Sequence, residues 1–452
     1  MKGFRVIFLI LLLLTFHSSV LADAAPPYNP PGVNPEPGVE STQVRMVAET
    51  VLIEVKNIGD LGQARVTADF TMLNTGNEAE DLAVRFPISA SNGYGEYPEI
   101  TNLAIKVGGR KVAFRRVNYP LGSDQPQVFP WAEFDVVFPP GKDVALQVSY
   151  DLEGTGYYPE TAFYYILTTG AGWKDTIGSA DIILRLPYAA DPQNVIMGVQ
   201  IGWGETTPGG VFAGNEVRWH FENFEPGVGE GIADMEFALV SPKLWTALLK
   251  EKDNVTKDPQ DAEAWGRLGR ALKQVFFESK GYRMDPAGEQ LYELSISAYE
   301  KCLALKPEDA QWHAGFADLL AQRAYWDSWG GNYGPDAIRA LEEIKTALEL
   351  APKDPVVLEI AQNISYLLPD GMTGDNGQFD FPWLTATPTA KAEEVLPSPD
   401  TPIPAVEAAT PVPSDTPQMA PVSPTEAPKP TSSLCGSALL IPLVMLFWLR
   451  KR

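Results

Sequence analysis

Tyr299-Glu-Lys-Cys-Leu-Ala-Leu-Lys-Pro-Glu-Asp309 returns, 45 residues on, as Ile344-Lys-Thr-Ala-Leu-Glu-Leu-Ala-Pro-Lys-Asp354. Leu303 and Leu348, Leu305 and Leu350, Pro307 and Pro352, and Asp309 and Asp354 coincide, and Cys302 and Ala347 share a small-residue position. Lys257-Asp258-Pro259 is a fainter third copy. Self-similarity at such a period marks stacked supersecondary units. Each copy carries a helical pattern that ends at a proline, which cannot continue a helix, so the chain must turn into the next one. The echo therefore assigns residues 241–368 to a helical region. Ser241-Pro242 opens it, with serine as a cap and proline at the first helical position. Leu244, Trp245 and Leu248 follow as an apolar stripe.

Trp265-Gly-Arg-Leu268-Gly269 adds a W-x2-L-G start, and with Pro307 and Pro352 closing later helices, residues 258–367 resemble tetratricopeptide repeats. The resemblance implies paired antiparallel helices that bind a protein partner. Small residues at Gly269, Cys302 and Ala347 let such helices approach closely. The chain departs from the family's 34-residue period, with extra residues around Phe276 to Ala287 and Trp326 to Pro335. Val356 to Leu367 is expected as a capping helix. In the second insert, Tyr325, Trp326, Trp329 and Tyr333 stand beside glycines. They are candidate partner-binding residues, since aromatics on a loop give rigid contact area. The alternative is that these rings pack beneath the loop. Cys302, mid-helix at a small apolar position, reads as a buried inert thiol.

Upstream, residues 44–240 alternate. Val51, Ile53 and Val55 interleave with Leu52, Glu54 and Lys56, and comparable runs recur as far as Met235 to Leu239. Gly108-Gly109 suits a two-residue hairpin, and Pro139-Pro140-Gly141-Lys142 makes a second turn. Short strands parted by Gly/Pro turns predict an antiparallel β-sandwich, or two stacked sandwiches dividing near residue 155. The fold class expected for the chain is thus multidomain β + α. Tyr165-Ile-Leu-Thr-Thr-Gly-Ala-Gly-Trp173 and Trp219-His-Phe-Glu-Asn-Phe-Glu-Pro226 resemble phrases of uncharacterised exported bacterial β domains, a resemblance that brings no chemistry with it. Trp131, Trp173, Trp203 and Trp219 are candidate exposed aromatics, and Trp173 and Trp203 are the candidates for stacking on sugar rings. The competing reading places these tryptophans in the core.

The ends set the expected compartment. Residues 1–24 read as a signal peptide, with Lys2 and Arg5 before an apolar core and Ala22-Asp23-Ala24 or Val20-Leu21-Ala22 at the cleavage point. Residues 25–43 form a Pro/Gly-rich spacer. Residues 369–433 are expected as a disordered Pro/Thr-rich stalk, since Thr385 to Ser432 holds twelve prolines in 48 residues. Residues 434–452 form a hydrophobic anchor that ends in Arg450-Lys451-Arg452. Its apolar run, about 21 Å as a helix, is short against a bilayer core of about 30 Å. Cys435-Gly-Ser-Ala438 ahead of the run resembles bacterial C-terminal sorting signals, with Cys435 as the processing or lipid-attachment point; a plain single-span anchor is the alternative. A net charge of -23 argues against a nucleic-acid partner.

Catalysis has little to build on. Of three histidines, His17 leaves with the leader, while His220 and His313 stand apart in the sequence. No H-E-x-x-H, G-x-S-x-G or phosphate loop is present, so no cofactor, metal or catalytic residue is expected. A glycosidase-type pair among the 58 acidic residues is the residual enzymatic alternative. The expected function is a non-catalytic scaffold or protein-binding unit held at the bacterial envelope through a membrane anchor, with an unknown envelope or extracellular protein as its partner. A carbohydrate- or wall-binding module is the second reading.

Overall fold

The alternating residues of the first half close into three sheets. The structure, a computed structural model, describes residues 37–39, 41–89, 99–120, 128–197, 205–226, 234–279, 286–328, 333–375 and 377–385. The expected leader, most of the spacer and stalk, and the tail with Cys435 lie outside these residues. The first four strands are β1 (Val44–Lys56), β2 (Gln63–Asn74), β3 (Glu80–Pro87) and β4 (Thr101–Val107). They are followed by β5 (Arg110–Val112), β6 (Arg115–Pro120), β7 (Val128–Phe138), β8 (Asp143–Glu153) and β9 (Glu160–Ile166). The last of this region are β10 (Ile177–Arg185), β11 (Val211–Ala213), β12 (Glu216–Phe224) and β13 (Asp234–Val240). Eight of them pair in the order β11-β12-β10-β1-β2-β8-β4-β5, while β3-β7-β6 and β13-β9 form smaller sheets.

The large sheet is mixed, which corrects the expectation of a purely antiparallel one. β1 runs antiparallel to β2 but parallel to β10, with Ala48 opposite Ser179 and Glu54 opposite Arg185. The reason is topological. β9 pairs in another sheet, so β10 is not the return arm of a hairpin and its direction is not fixed by a preceding turn. All three sheets send side chains into one apolar cluster that runs from Val44 to Leu239, across both sides of residue 155. Phe86 of β3 meets Tyr150 of β8 with ring centroids 5.5 Å apart, and Trp219 of β12 meets Phe237 of β13 at 5.4 Å.

A β-bulge alters the alternation inside β1. Val44 and Met46 face inward; the register then shifts between Met46 and Ala48, after which Glu49, Val51, Ile53 and Val55 face inward. An extra residue reverses which side chains point to the core. The bulge carbonyl of Val47 lies against Gly178, where an added Cβ would sit 2.2 Å from that oxygen. Glu49 thereby becomes a core residue, 1% exposed.

The second half is helical: α1 (Pro242–Lys257), α2 (Ala262–Gln274), α3 (Pro286–Leu305), α4 (Ala310–Ser328), α5 (Asp336–Leu350), α6 (Pro355–Leu367) and the short α7 (Pro382–Thr385). A π-helical turn, Val275–Ser279, follows α2, and a small hairpin of β14 (Thr373–Asp375) and β15 (Gln378–Asp380) precedes α7. The echoed sequence works as caps. Asp261 accepts from Ala264 N at 3.0 Å, Asp309 from Gln311 N at 3.1 Å, and Asp354 from Val356 N at 2.8 Å. Each such aspartate satisfies helix-start amides left without an intrahelical partner, and each stands two residues after a proline. α2 and α3 pack through Gly269, where a Cβ would come 2.9 Å from the Tyr299 ring. Ser295 Oγ also donates to the Gly269 carbonyl at 2.8 Å.

The two halves meet at Ser241. Its hydroxyl donates to the Asp60 carbonyl at 2.5 Å, and Lys243 reaches the Asp60 carboxylate at 2.6 Å. Trp245 of α1, buried in the helical core, faces Tyr188 of the β region with centroids 6.2 Å apart. Gln193 Nε2 donates to Gln290 Oε1 of α3 at 2.7 Å.

Candidate functional site

A group of polar side chains converges across α2, α4 and α6. Lys273 Nζ sits 2.6 Å from Asp318 Oδ2, and Asn363 Nδ2 donates to Asp318 Oδ1 at 3.3 Å. Gln322 Nε2 donates to the same carboxylate at 2.8 Å. Lys273, Asp318 and Asn363 stand at successive intervals of 45 residues, the period of the echo. One residue from each of three alternate helices thus meets in a row. At the other end of α2, Gly266 leaves room for the Trp312 ring of α4, which would lie 2.4 Å from an added Cβ. Arg270 stands over that ring at 5.4 Å, a cation–π distance. Tyr366 of α6 is 74% exposed, the most exposed large ring among the described helical residues.

The aromatic insert is tied down at both ends. Tyr325 and Trp326 occupy the last turn of α4 with rings 6.2 Å apart, and Ser328 Oγ donates to the Tyr325 carbonyl at 2.6 Å. Tyr333 packs edge-on against Trp383 of α7 at 5.3 Å. Trp329 lies outside the described residues, so three of the four candidates are placed. Nearby, Tyr292 Oη donates to Asp336 Oδ2 at 2.6 Å while Arg323 stands over the Tyr292 ring at 5.0 Å. Burial and the Asp336 carboxylate push the Tyr292 phenol far above its ordinary range. A surface hollow between α6 and the β14–β15 hairpin is lined by Leu358, Glu359, Gln362, Gly377 and Phe379.

Of the β-region tryptophans, Trp131, Trp173 and Trp219 are core residues, which is the competing reading and not the exposed row. Trp173 is 4% exposed and packs against Phe138 at 5.9 Å, and Trp131 and Trp219 are also buried. Trp219 Nε1 donates to the Thr207 carbonyl at 3.0 Å. Trp203 lies outside the described residues. Cys302 is buried, and its thiol is pushed up to about 12 by desolvation, so little thiolate forms near neutral pH.

Three arrangements were not legible beforehand. Tyr165 Oη donates to the buried Glu49 Oε1 at 2.8 Å. Desolvation first and the Glu49 charge second hold the Tyr165 and Tyr150 phenols well above their ordinary range. His220 holds Asp181 Oδ1 at 2.8 Å on Nδ1 and Glu222 Oε1 at 3.0 Å on Nε2. His313 holds Glu343 Oε2 at 2.6 Å on Nδ1 and the Pro307 carbonyl at 2.9 Å on Nε2. The partners of His313 lie 30 and 6 residues away, and no local motif links them. The 45-residue spacing of Lys273, Asp318 and Asn363 was the one signal able to reveal the polar row.

No family model matches the chain, and no curated protein matches it. Among solved structures, it is similar to a Legionella pneumophila protein provisionally named a nutrient binding protein, with 16% identity and a TM-score of 0.38 over 60% of this chain and 98% of that one. It is also similar to an M1 zinc metallopeptidase of Deinococcus radiodurans, with 10% identity and a TM-score of 0.23 over 70% of this chain and 77% of that one. Native yeast LTA4 hydrolase gives 8% identity and a TM-score of 0.23 over 43% of this chain and 29% of that one. Likeness at this level says nothing about activity.

Proposed function

We propose that the protein is a non-catalytic binding or scaffold unit, exported and tethered at the envelope by its C-terminal segment. In this reading the three sheets form a β-sandwich that carries a short array of tetratricopeptide-like helix pairs. The observation that carries it is the row Lys273–Asp318–Asn363, set at the echo's own period across α2, α4 and α6. A period that places equivalent positions side by side builds a continuous helical face, which is how stacked repeats present a binding surface. Tyr366, Tyr325 and Trp326 provide aromatic contact on α6 and α4. Interfaces draw their affinity from such rings. The carbohydrate reading loses Trp173 to the core.

The test is chemical cross-linking of the full chain in envelope preparations, with cross-linked peptides mapped by mass spectrometry. We expect one recurrent protein partner whose cross-links fall on α4 and α6 and weaken in Trp326→Ala and Tyr366→Ala. Cross-links confined to the β region, or none reproducible from folded protein, would refute the proposal.

A further inference from the structure

Three elements are tied together by a single ring. His313, in the first turns of α4, is 12% exposed at its side chain. Nδ1 faces the Glu343 carboxylate of α5, and Nε2 faces the Pro307 carbonyl in the turn between α3 and α4. Carbonyl and carboxylate oxygens only accept, so both ring nitrogens must donate. A neutral imidazole has one N–H and satisfies one of them. A proton on Nε2 keeps Pro307 and sets a lone pair against the Glu343 carboxylate. A proton on Nδ1 keeps Glu343 and sets a lone pair against the Pro307 carbonyl.

We propose that His313 is a proton-operated latch. The imidazolium clamps α5 and the α3–α4 turn onto α4, and loss of its proton loosens this part of the helical region. The surrounding charges favour the closed state. Glu343 faces the ring from α5, and Asp309, the α4 cap, lies on its own element. The cations nearby are committed elsewhere. Lys306 of the turn pairs with Asp309 at 2.7 Å and with Glu263 of α2 at 2.5 Å. Arg339, one turn before Glu343 on α5, pairs with Glu300 of α3 at 2.6 Å. The Glu343 hydrogen bond raises the His313 pKa above its ordinary value, burial opposes this, and the Pro307 carbonyl reinforces it. The sign follows. A raised folded-state pKa gives stability that is whole below the unfolded value of about 6.5 and is lost as pH climbs through the folded value.

His220 is an internal control. It too has acceptors on both nitrogens, but it is exposed, and its partners lie on β10 and β12, which their own ladder already joins. Its deprotonation releases no junction between elements. The latch stands independently of the binding proposal above.

The test uses the full chain with His17 and His220 replaced by Gln, so that His313 is the one titrating imidazole. Proton NMR of the ring gives its midpoint, and hydrogen exchange, corrected for intrinsic pH dependence, follows peptides spanning residues 305–345. We expect a midpoint above the ordinary value and faster exchange across it. The protection lost should approach about tenfold for each pH unit by which the folded pKa exceeds the unfolded one. Glu343→Gln, which keeps an acceptor and removes the charge, should move both midpoints down together. A midpoint at or below the ordinary value, or protection unchanged through it, would overturn the latch.

Discussion

Gly178 and Val47 show how one position decides what its neighbours become. The Val47 bulge occupies the space a side chain at 178 would need. Gly178→Ala should therefore push back the bulge at a cost of about 1–3 kcal/mol, as overpacked sites do, read as a lowered midpoint in urea unfolding. The same bulge turns Glu49 inward, where Tyr165 donates to it. Tyr165→Phe keeps the ring volume and removes that donor. It should cost about 1.5–3 kcal/mol, the range for a hydrogen bond to a charged group, whereas Tyr164→Phe, on the outer side of the same strand, should cost less. Reading the sequence could not find this pair. Strict alternation from Val44 places residue 49 on the outer face, and one inserted residue reverses it.

At the scale of elements, repetition was readable and packing was not. Pro307 and Pro352 announced two helix ends, because proline cannot continue a helix, a local effect, while the capping of the next helices by Asp309 and Asp354 showed only in the structure. Alternation likewise placed most strands, since it depends on each strand's own two faces. What each strand pairs with does not, and so the parallel β1–β10 contact was missed. The sequence left Trp173 open between an exposed ring and a core one for the same reason. Trp173 sits in a loop, and its burial is decided by Phe138, far away in the chain. The Lys273–Asp318 pair is a long-range element contact that can be weighed directly. Lys273→Met leaves the buried Asp318 carboxylate with amide donors only, and should cost up to about 3 kcal/mol, the lower end for a broken buried pair. Replacing both, Lys273→Met with Asp318→Leu, should recover much of the loss, because apolar groups of similar volume substitute well for such pairs. A double-mutant cycle in chemical denaturation measures the difference.

Over the whole molecule, Trp245 bridges the sheet and helix halves, with its ring in the helical core and against Tyr188. Trp245→Ala should cost about 3–5 kcal/mol and split thermal unfolding into two calorimetric steps, where the native chain is expected to melt in one. The parallel pairing of β1 with β10 has a different kind of consequence, one of timing. β1 can find β2 as soon as a short turn has formed, but its other edge waits for Ser179, 131 residues beyond Ala48. Closing so long a loop is slow. During synthesis, the middle of the large sheet therefore stays open along one side long after its first strands exist, and whatever shields that edge in the interval governs how much chain matures rather than clumps.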